Sequence, residues 1–252
     1  MQIGVSRVNH QLSNQKKFRA QSIVFDLFHT LVDPDELTPR DFQRPRKIAE
    51  LFNLDPSAFT KYWHDLTPVR NTSKSKKAIN LIEDYVVKNT GRPPTKGDLL
   101  VADTILGRYH DRSLQDPKSD VVSALHNLKF KGVRLGVLSN TDERQVAMWF
   151  RSPLSGLFDA ACFSYEIGYE KPAKEAYSAV LGKLGIPAGS SIYVGDGEWD
   201  DLRGAKDAGF GLAVFMEGFV SRDGTRTSDE IRASESVADK TIQRISELEE
   251  MV

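Results

Sequence analysis

The feature that most narrows the fold of this chain is a series of short apolar runs, several of which end in a carboxylate or a hydroxyl. Ser22-Ile23-Val24-Phe25 runs into Asp26, and Val133-Arg134-Leu135-Gly136-Val137-Leu138 runs into Ser139-Asn140-Thr141. Ala160-Ala161-Cys162-Phe163-Ser164 follows, then Ser191-Ile192-Tyr193-Val194-Gly195 ending in Asp196, and finally Gly211-Leu212-Ala213-Val214-Phe215. Continuous apolar runs of this length suit strands buried on both faces of a parallel sheet. Helical patterns lie between them, over Ser119–Phe130, Glu143–Phe150, Ala173–Leu184 and Trp199–Ala208, with a last helix expected over Thr241–Glu250. Strands alternating with helices predict a three-layer α/β fold whose mainly parallel sheet is covered on both faces.

One stretch breaks the alternation. From Pro34 to Lys118 the pattern is helical only, with Asp55-Pro56 opening one helix and Gly91-Arg92-Pro93-Pro94 separating two others. An insertion this long, directly after the first strand, more often covers an active-site edge than serves stability alone. The expected organisation is an α/β core over residues 21–33 and 119–252, an all-helical cap over 34–118, and a poorly ordered N-terminal extension over 1–20. That extension carries Arg7, Lys16, Lys17 and Arg19 and no acidic residue. It has no apolar segment fit for a secretory signal, and a solvated tail is favoured over an organelle transit peptide.

Composition excludes several classes. The 34 Lys and Arg nearly cancel the 35 Asp and Glu, so no basic excess points to nucleic acid. With 40% apolar residues the chain is not a disordered polyelectrolyte. No apolar run approaches the roughly 20 residues that cross a bilayer. The lone Cys162 rules out an internal disulfide framework and fits a reducing, cytoplasmic-type compartment. A monomer or a homodimer is compatible with all of this.

Ligands of open α/β sheets bind beyond the carboxyl ends of the strands, where strand order reverses. Asp26, Ser139 and Asp196 stand at those ends, and Lys171 follows the third strand. An aspartate at a strand end is often only a turn residue; several reactive groups at successive ends are a less probable coincidence. Asp26 suits a covalent nucleophile. Asp26 and Asp196 offer the hard oxygens that Mg²⁺ takes. Lys171 would hold the charge of a small anionic substrate and restrain the nucleophile, with Ser139 and the Asn140 backbone N–H donating hydrogen bonds. Clustered carboxylates need such cations beside them.

The segment Val24-Phe25-Asp26-Leu27-Phe28-His29-Thr30-Leu31 resembles the first motif of the haloacid dehalogenase superfamily. Leu138-Ser139-Asn140 resembles its second, Glu170-Lys171-Pro172 its third, and Gly195-Asp196 through Asp200-Asp201 its fourth. The resemblance implies a Rossmann-like core, a cap inserted after the first motif, and, for most members, a Mg²⁺-dependent phosphatase forming an aspartyl-phosphate. It further implies that Asp26, the main-chain carbonyl of Phe28, Asp196 and Asp201 hold the metal, and that Thr30, Ser139, Asn140 and Lys171 meet substrate.

Phosphatases of the family carry a second aspartate two positions after the nucleophile, as general acid and base. Here that residue is Phe28, which moves no proton; such help is worth about 10²–10⁴-fold. His29 is a candidate substitute, against the plainer reading that its ring packs sideways. Phe28 resembles the dehalogenases, whose halide leaving group needs no proton, whereas Asp196 and Asp201 resemble the metal-dependent members. A Mg²⁺-dependent phosphatase is therefore the first expectation. The alternatives are a 2-haloacid dehalogenase-type hydrolase and a slow, binding or regulatory protein. Within the cap, Arg44, Arg46 and Lys47, or Arg70, Lys74, Lys76 and Lys77, could meet an anionic substrate, although charge runs are usually solvated faces. Trp63 and Trp199 are candidate pocket aromatics.

Overall fold

The computed structural model describes residues 19–223 and 226–252. Residues 1–18 of the expected extension lie outside that range, and Ala20 at its end is buried. Strand β1 (Ser22–Phe25) is followed by α1 (Arg44–Leu51), α2 (Pro56–Asp65), α3 (Thr67–Asn71), α4 (Ala78–Thr90), α5 (Lys96–Gln115) and α6 (Ser119–Phe130). The chain then runs through β2 (Arg134–Ser139), β3 (Ala160–Phe163), α7 (Ser164–Ile167), α8 (Lys174–Leu184), β4 (Ser191–Gly195) and α9 (Asp201–Asp207). It finishes with β5 (Leu212–Met216), α10 (Glu217–Asp223), α11 (Ser228–Val237) and β6 (Lys240–Ile242).

The strands form one parallel sheet in the order β3-β2-β1-β4-β5-β6. From β1 the chain steps outward to β2 and β3, then returns to the other side of β1 for β4. Strand order thus reverses at β1 and β4, and the crevice beyond their carboxyl ends is where such folds bind ligands. Neighbouring residues of β1 serve opposite faces. Ile23 and Phe25 join the cluster containing Leu125 and Leu128 of α6, while Val24 joins Tyr177, Val180 and Leu184 of α8. Fully burying one such side chain is worth roughly 1.5–3 kcal/mol.

Three sequence expectations are corrected. Residues 143–148 form turns, and only a short 3₁₀ turn, Trp149–Arg151, follows in place of the Glu143–Phe150 helix. The expected Trp199–Ala208 helix starts at Asp201, because Trp199 (φ 57°) and Asp200 (φ 56°) take left-handed backbone. The Thr241–Glu250 helix is replaced by β6 and a 3₁₀ segment, Ile245–Glu250. In the last case Ile242, Ile245 and Leu248 do face inward, onto the sheet's first cluster, but on a strand and a tighter helix.

Helices α1 to α5 surround a cluster of their own, built on Ile48, Phe59, Trp63, Ile82 and Leu106. Asp55 caps α2 by accepting from the Ala58 N–H at 2.7 Å, and Thr95 with Asp98 forms a capping box on α5. Polar ties fasten this lobe to the sheet region. Arg144 donates to both carboxylate oxygens of Asp111 at 2.8 Å and pairs with Asp103 at 2.9 Å. Its guanidinium lies where a Cβ on Gly107 of α5 would sit, so a side chain there would displace it from Asp111. Arg70 pairs with Asp142 at 3.2 Å, and Asn71 Nδ2 donates to Glu170 at 2.8 Å.

Candidate functional site

Asp26 lies immediately beyond β1, and its N–H continues the ladder by donating to the Val194 carbonyl of β4 at 2.8 Å. The nucleophile candidate is therefore fixed by the sheet itself. Lys171 Nζ lies 2.7 Å from Asp26 Oδ1 and 3.6 Å from Asp201 Oδ2. The same ammonium donates to the Tyr193 hydroxyl at 3.0 Å, which in turn donates to Asp201 Oδ2 at 2.8 Å. Burial alone would lower the Lys171 pKa, but the surrounding carboxylates, Asp26 foremost, outweigh it and raise it. The Lys171 main chain is clamped by Asn140, whose Oδ1 accepts from Lys171 N at 2.7 Å and whose Nδ2 donates to Lys171 O at 2.9 Å.

Asp196, at the end of β4, is almost fully buried. Its Oδ1 accepts from the Glu198 N–H at 3.1 Å, and Arg226 pairs with Oδ2 and the main-chain carbonyl. Asp201, at the start of α9, is completely buried, and a Cβ on Gly195 would collide with its carboxylate. Burial and then the charge of Asp26 raise the Asp196 pKa. Burial likewise raises that of Asp201, with the other two carboxylates opposing the pull of Lys171. One oxygen from each of Asp26, Asp196 and Asp201 lies within 4.8 Å of the others, and Asp201 Oδ1 is buried with no hydrogen-bond partner. Hard, partly unsatisfied oxygens beside one another are a donor set that fits a Mg²⁺ ion.

A cavity of about 200 Å³ opens on Asp26 of this cluster. The sheet side contributes Asp26, Phe28, Ser139, Asn140 and Lys171, and the helical lobe contributes Arg44, Arg70, Asn71 and His110. A larger groove of about 640 Å³ lies beside it, with His29, Asp35, Glu198 and Trp199 common to both. Thr30, by contrast, is buried with its hydroxyl unpartnered and lines neither space. Of the basic cap candidates, Arg46 and Lys47 pair with the exposed Glu50, and Lys74, Lys76 and Lys77 are exposed. Only Arg44 and Arg70 reach the cavity. Trp63 is buried beneath Arg70, whose guanidinium stacks 3.8 Å from its ring, whereas Trp199 is 61% exposed at the cavity lip.

Phe28 packs edge-on against His110, with ring centroids 4.9 Å apart. The His29 ring lies between two carboxylates, with Nδ1 3.4 Å from Asp33 Oδ1, too poorly aligned for a hydrogen bond, and Nε2 3.6 Å from Asp35. Burial works to lower its pKa, but Asp33, Asp196 and Asp35 push it up to about 9, so the ring is cationic at neutral pH. Tyr193, His110 and Gln145 went unnoticed in the sequence. A hydroxyl-bearing residue inside an otherwise apolar strand was the available signal for Tyr193; nothing local marks the other two.

A family model described as haloacid dehalogenase-like hydrolase matches residues 20–209. A protein of Halopiger xanaduensis named ribulose-1,5-bisphosphate 5-phosphatase is 30% identical over 92% of this chain and 99% of its own length. One of Methanopyrus kandleri named glyceraldehyde 3-phosphate phosphatase is 31% identical over 67% of this chain and 70% of its own. Among solved structures, a HAD phosphatase from Thermococcus onnurineus has a TM-score of 0.59 at 19% identity, covering 91% of this chain and 96% of that one. The L-2-haloacid dehalogenase of Xanthobacter autotrophicus has a TM-score of 0.55 at 18% identity, covering 92% and 97%. At those identities the two structures speak for the fold alone. With its four motifs gathered at one sheet edge and the family model spanning most of its length, the chain belongs to the haloacid dehalogenase-like hydrolases.

Proposed function

We propose that this hydrolase is a Mg²⁺-dependent phosphatase of small phosphorylated metabolites. The observation that carries the reading is the Asp26 carboxylate held by Lys171 and grouped with Asp196 and Asp201 at the point where strand order reverses. Asp26, Asp196, Asp201 and the Phe28 main-chain carbonyl would hold the ion, which when bound offsets the negative charge of the phosphoryl group and of the carboxylates around it. The names of the two relatives point to phosphorylated sugars as the substrate class.

In this reading an Asp26 oxygen attacks phosphorus, the bond to the ester oxygen breaks, and an aspartyl-phosphate forms that water then hydrolyses back to Asp26. Lys171 holds and orients Asp26, while Ser139 and the Asn140 N–H donate to phosphoryl oxygens. Helices α1 to α5, the lid expected over 34–118, close the cavity from the far side and limit water in it. With Phe28 in place of the usual acid, His29 is the candidate to protonate the departing oxygen. Its cationic state is the right one for that step, although both its nitrogens face carboxylates.

The test is release of inorganic phosphate from glyceraldehyde 3-phosphate and ribulose 1,5-bisphosphate, with and without Mg²⁺. Phe28 favours one second reading, a dehalogenase type whose leaving group takes no proton. Metal-independent chloride release from 2-chloropropionate, without phosphate release, would put that reading first. The role of His29 is tested by His29→Gln on two esters. A proton donor predicts a loss of about 10²-fold or more on an alkyl phosphate and little on p-nitrophenyl phosphate, whose leaving group is already a good one. Equal losses would make His29 a positioning residue.

A further inference from the structure

Among the cations lining the cavity, Arg44 differs from the rest in what holds it. Lys171 is held by Asp26 and Asp201, and the His29 ring sits between Asp33 and Asp35. Arg70 is held by Asp142, by the Trp63 carbonyl at 2.6 Å and by the Trp63 ring. Arg44 stands at the start of α1, on the cavity wall, and forms no ion pair with a carboxylate among the described residues. Its contact is with the His110 ring, both of whose nitrogens lie 3.4 Å from Nη1.

That ring has little to give. The imidazole is almost fully buried and offers a donor at most one lone pair. The lone pair is already used. Gln145 Oε1 accepts from the Thr141 hydroxyl at 3.0 Å and from the Asp142 N–H at 3.1 Å, which turns its Nε2 toward His110 Nε2 at 3.2 Å as a donor. The His110 proton then sits on Nδ1. Arg44 is thus a half-buried guanidinium with five N–H donors and no committed acceptor. Asp35 and Asp142 attract it from beyond ion-pair distance, and a desolvated cation with no carboxylate in contact gains most when a ligand brings one.

Two contacts through aromatic rings lead from Arg44 toward the nucleophile. Phe28, two residues beyond Asp26, packs on His110, and His110 touches Arg44. We propose that Arg44 receives a second anionic group, a carboxylate or a phosphate, at the far end of a short substrate whose carbon chain lies over Phe28 and His110. The preferred substrates are then bis-anionic phosphate esters, and Phe28 acts as the apolar spacer between two charged ends. This rests on the phosphatase reading of Asp26.

The experiment compares wild type, Arg44→Met and Arg44→Lys with Mg²⁺ on four esters. 2-Phosphoglycolate carries a carboxylate and ribulose 1,5-bisphosphate a second phosphate; glyceraldehyde 3-phosphate and p-nitrophenyl phosphate carry no second anion. In Arg44→Met the ratio of kcat/KM for the bis-anionic esters to that for the uncharged-tail esters is expected to fall about 10–100-fold, mainly through KM. Arg44→Lys should recover part of it. The larger fall, on phosphoglycolate or on the bisphosphate, identifies the group. An equal loss on all four esters, or an unchanged ratio, overturns the proposal. Calorimetry of the same bis-anionic compounds with Asp26→Asn, alone and combined with Arg44→Met, separates the two readings. Arg44-dependent binding by an enzyme that turns over no ester removes the phosphatase reading and keeps the anion site. Turnover with binding indifferent to Arg44 does the reverse.

Discussion

On the sheet side of the cavity, buried charges are met by opposite charges. Asp26, Asp201 and Lys171 form one group through Tyr193, and Asp196 is paired by Arg226. On the helical side, Arg70 is fully engaged, but Arg44 faces a buried histidine. The first wall sets three carboxylates against two cations around a fixed nucleophile, which leaves negative charge for a metal ion to offset. The second keeps one unbalanced cation, as selection among ligands requires. The difference lies in how the residues arrive. Strand ends converge on a single edge by topology, whereas the helical wall draws on helices that reach it from α1, α3 and α5.

The contrast can be broken first at the sheet wall. Asp26→Asn should lower phosphate release by at least about 10⁴-fold while the protein stays folded, read by initial rates beside thermal melting. Lys171→Met removes an ammonium that three buried carboxylates surround, and breaking a buried pair costs about 3–5 kcal/mol. Urea unfolding of the variant should show that loss, and a change under 1 kcal/mol would mean the carboxylates are not charged together. At the junction of the two walls, Arg144→Met removes the bidentate tie to Asp111, with an expected cost of about 2 kcal/mol in the same measurement and a rise in KM as the lobe loosens.

The last effect is a pH dependence. The His29 pKa is raised from 6.5 to about 9 in the folded protein. Its contribution to stability is complete below about pH 6.5 and is lost as pH rises through about 9. Metal-free protein should therefore lose stability between those values, and His29→Gln should flatten that part of the curve. A variant with the wild-type slope would place the titration elsewhere.

How much of this was legible in the sequence follows the same division. Asp26, Ser139 and Asp196 could be read because a parallel sheet delivers the residues after its strands to one place, and Lys171 because its motif marks it. Tyr193 read only as one more apolar strand residue, although its hydroxyl joins Lys171 to Asp201. Strand β6 was missed because Lys240-Thr241-Ile242 is an edge of three residues with no apolar run. Arg44, Arg46 and Lys47 were indistinguishable as a group; only the docking of α1 turns the first to the cavity and leaves the others on Glu50. His110 and Gln145 matter through contacts that span 35 and 66 residues, and no local pattern encodes those.

Gly107 carries a consequence for how the molecule folds. A glycine inside α5 weakens that helix by roughly 1 kcal/mol relative to alanine, and helix propensity alone would favour replacing it. Here the missing methyl group is the seat of the Arg144 guanidinium, which arrives from the sheet region only once both parts are formed. The longest helix of the lobe is thus locally handicapped and globally repaired. Such an arrangement couples the stability of α5 to that of the sheet and favours a single cooperative unfolding transition over two independent ones.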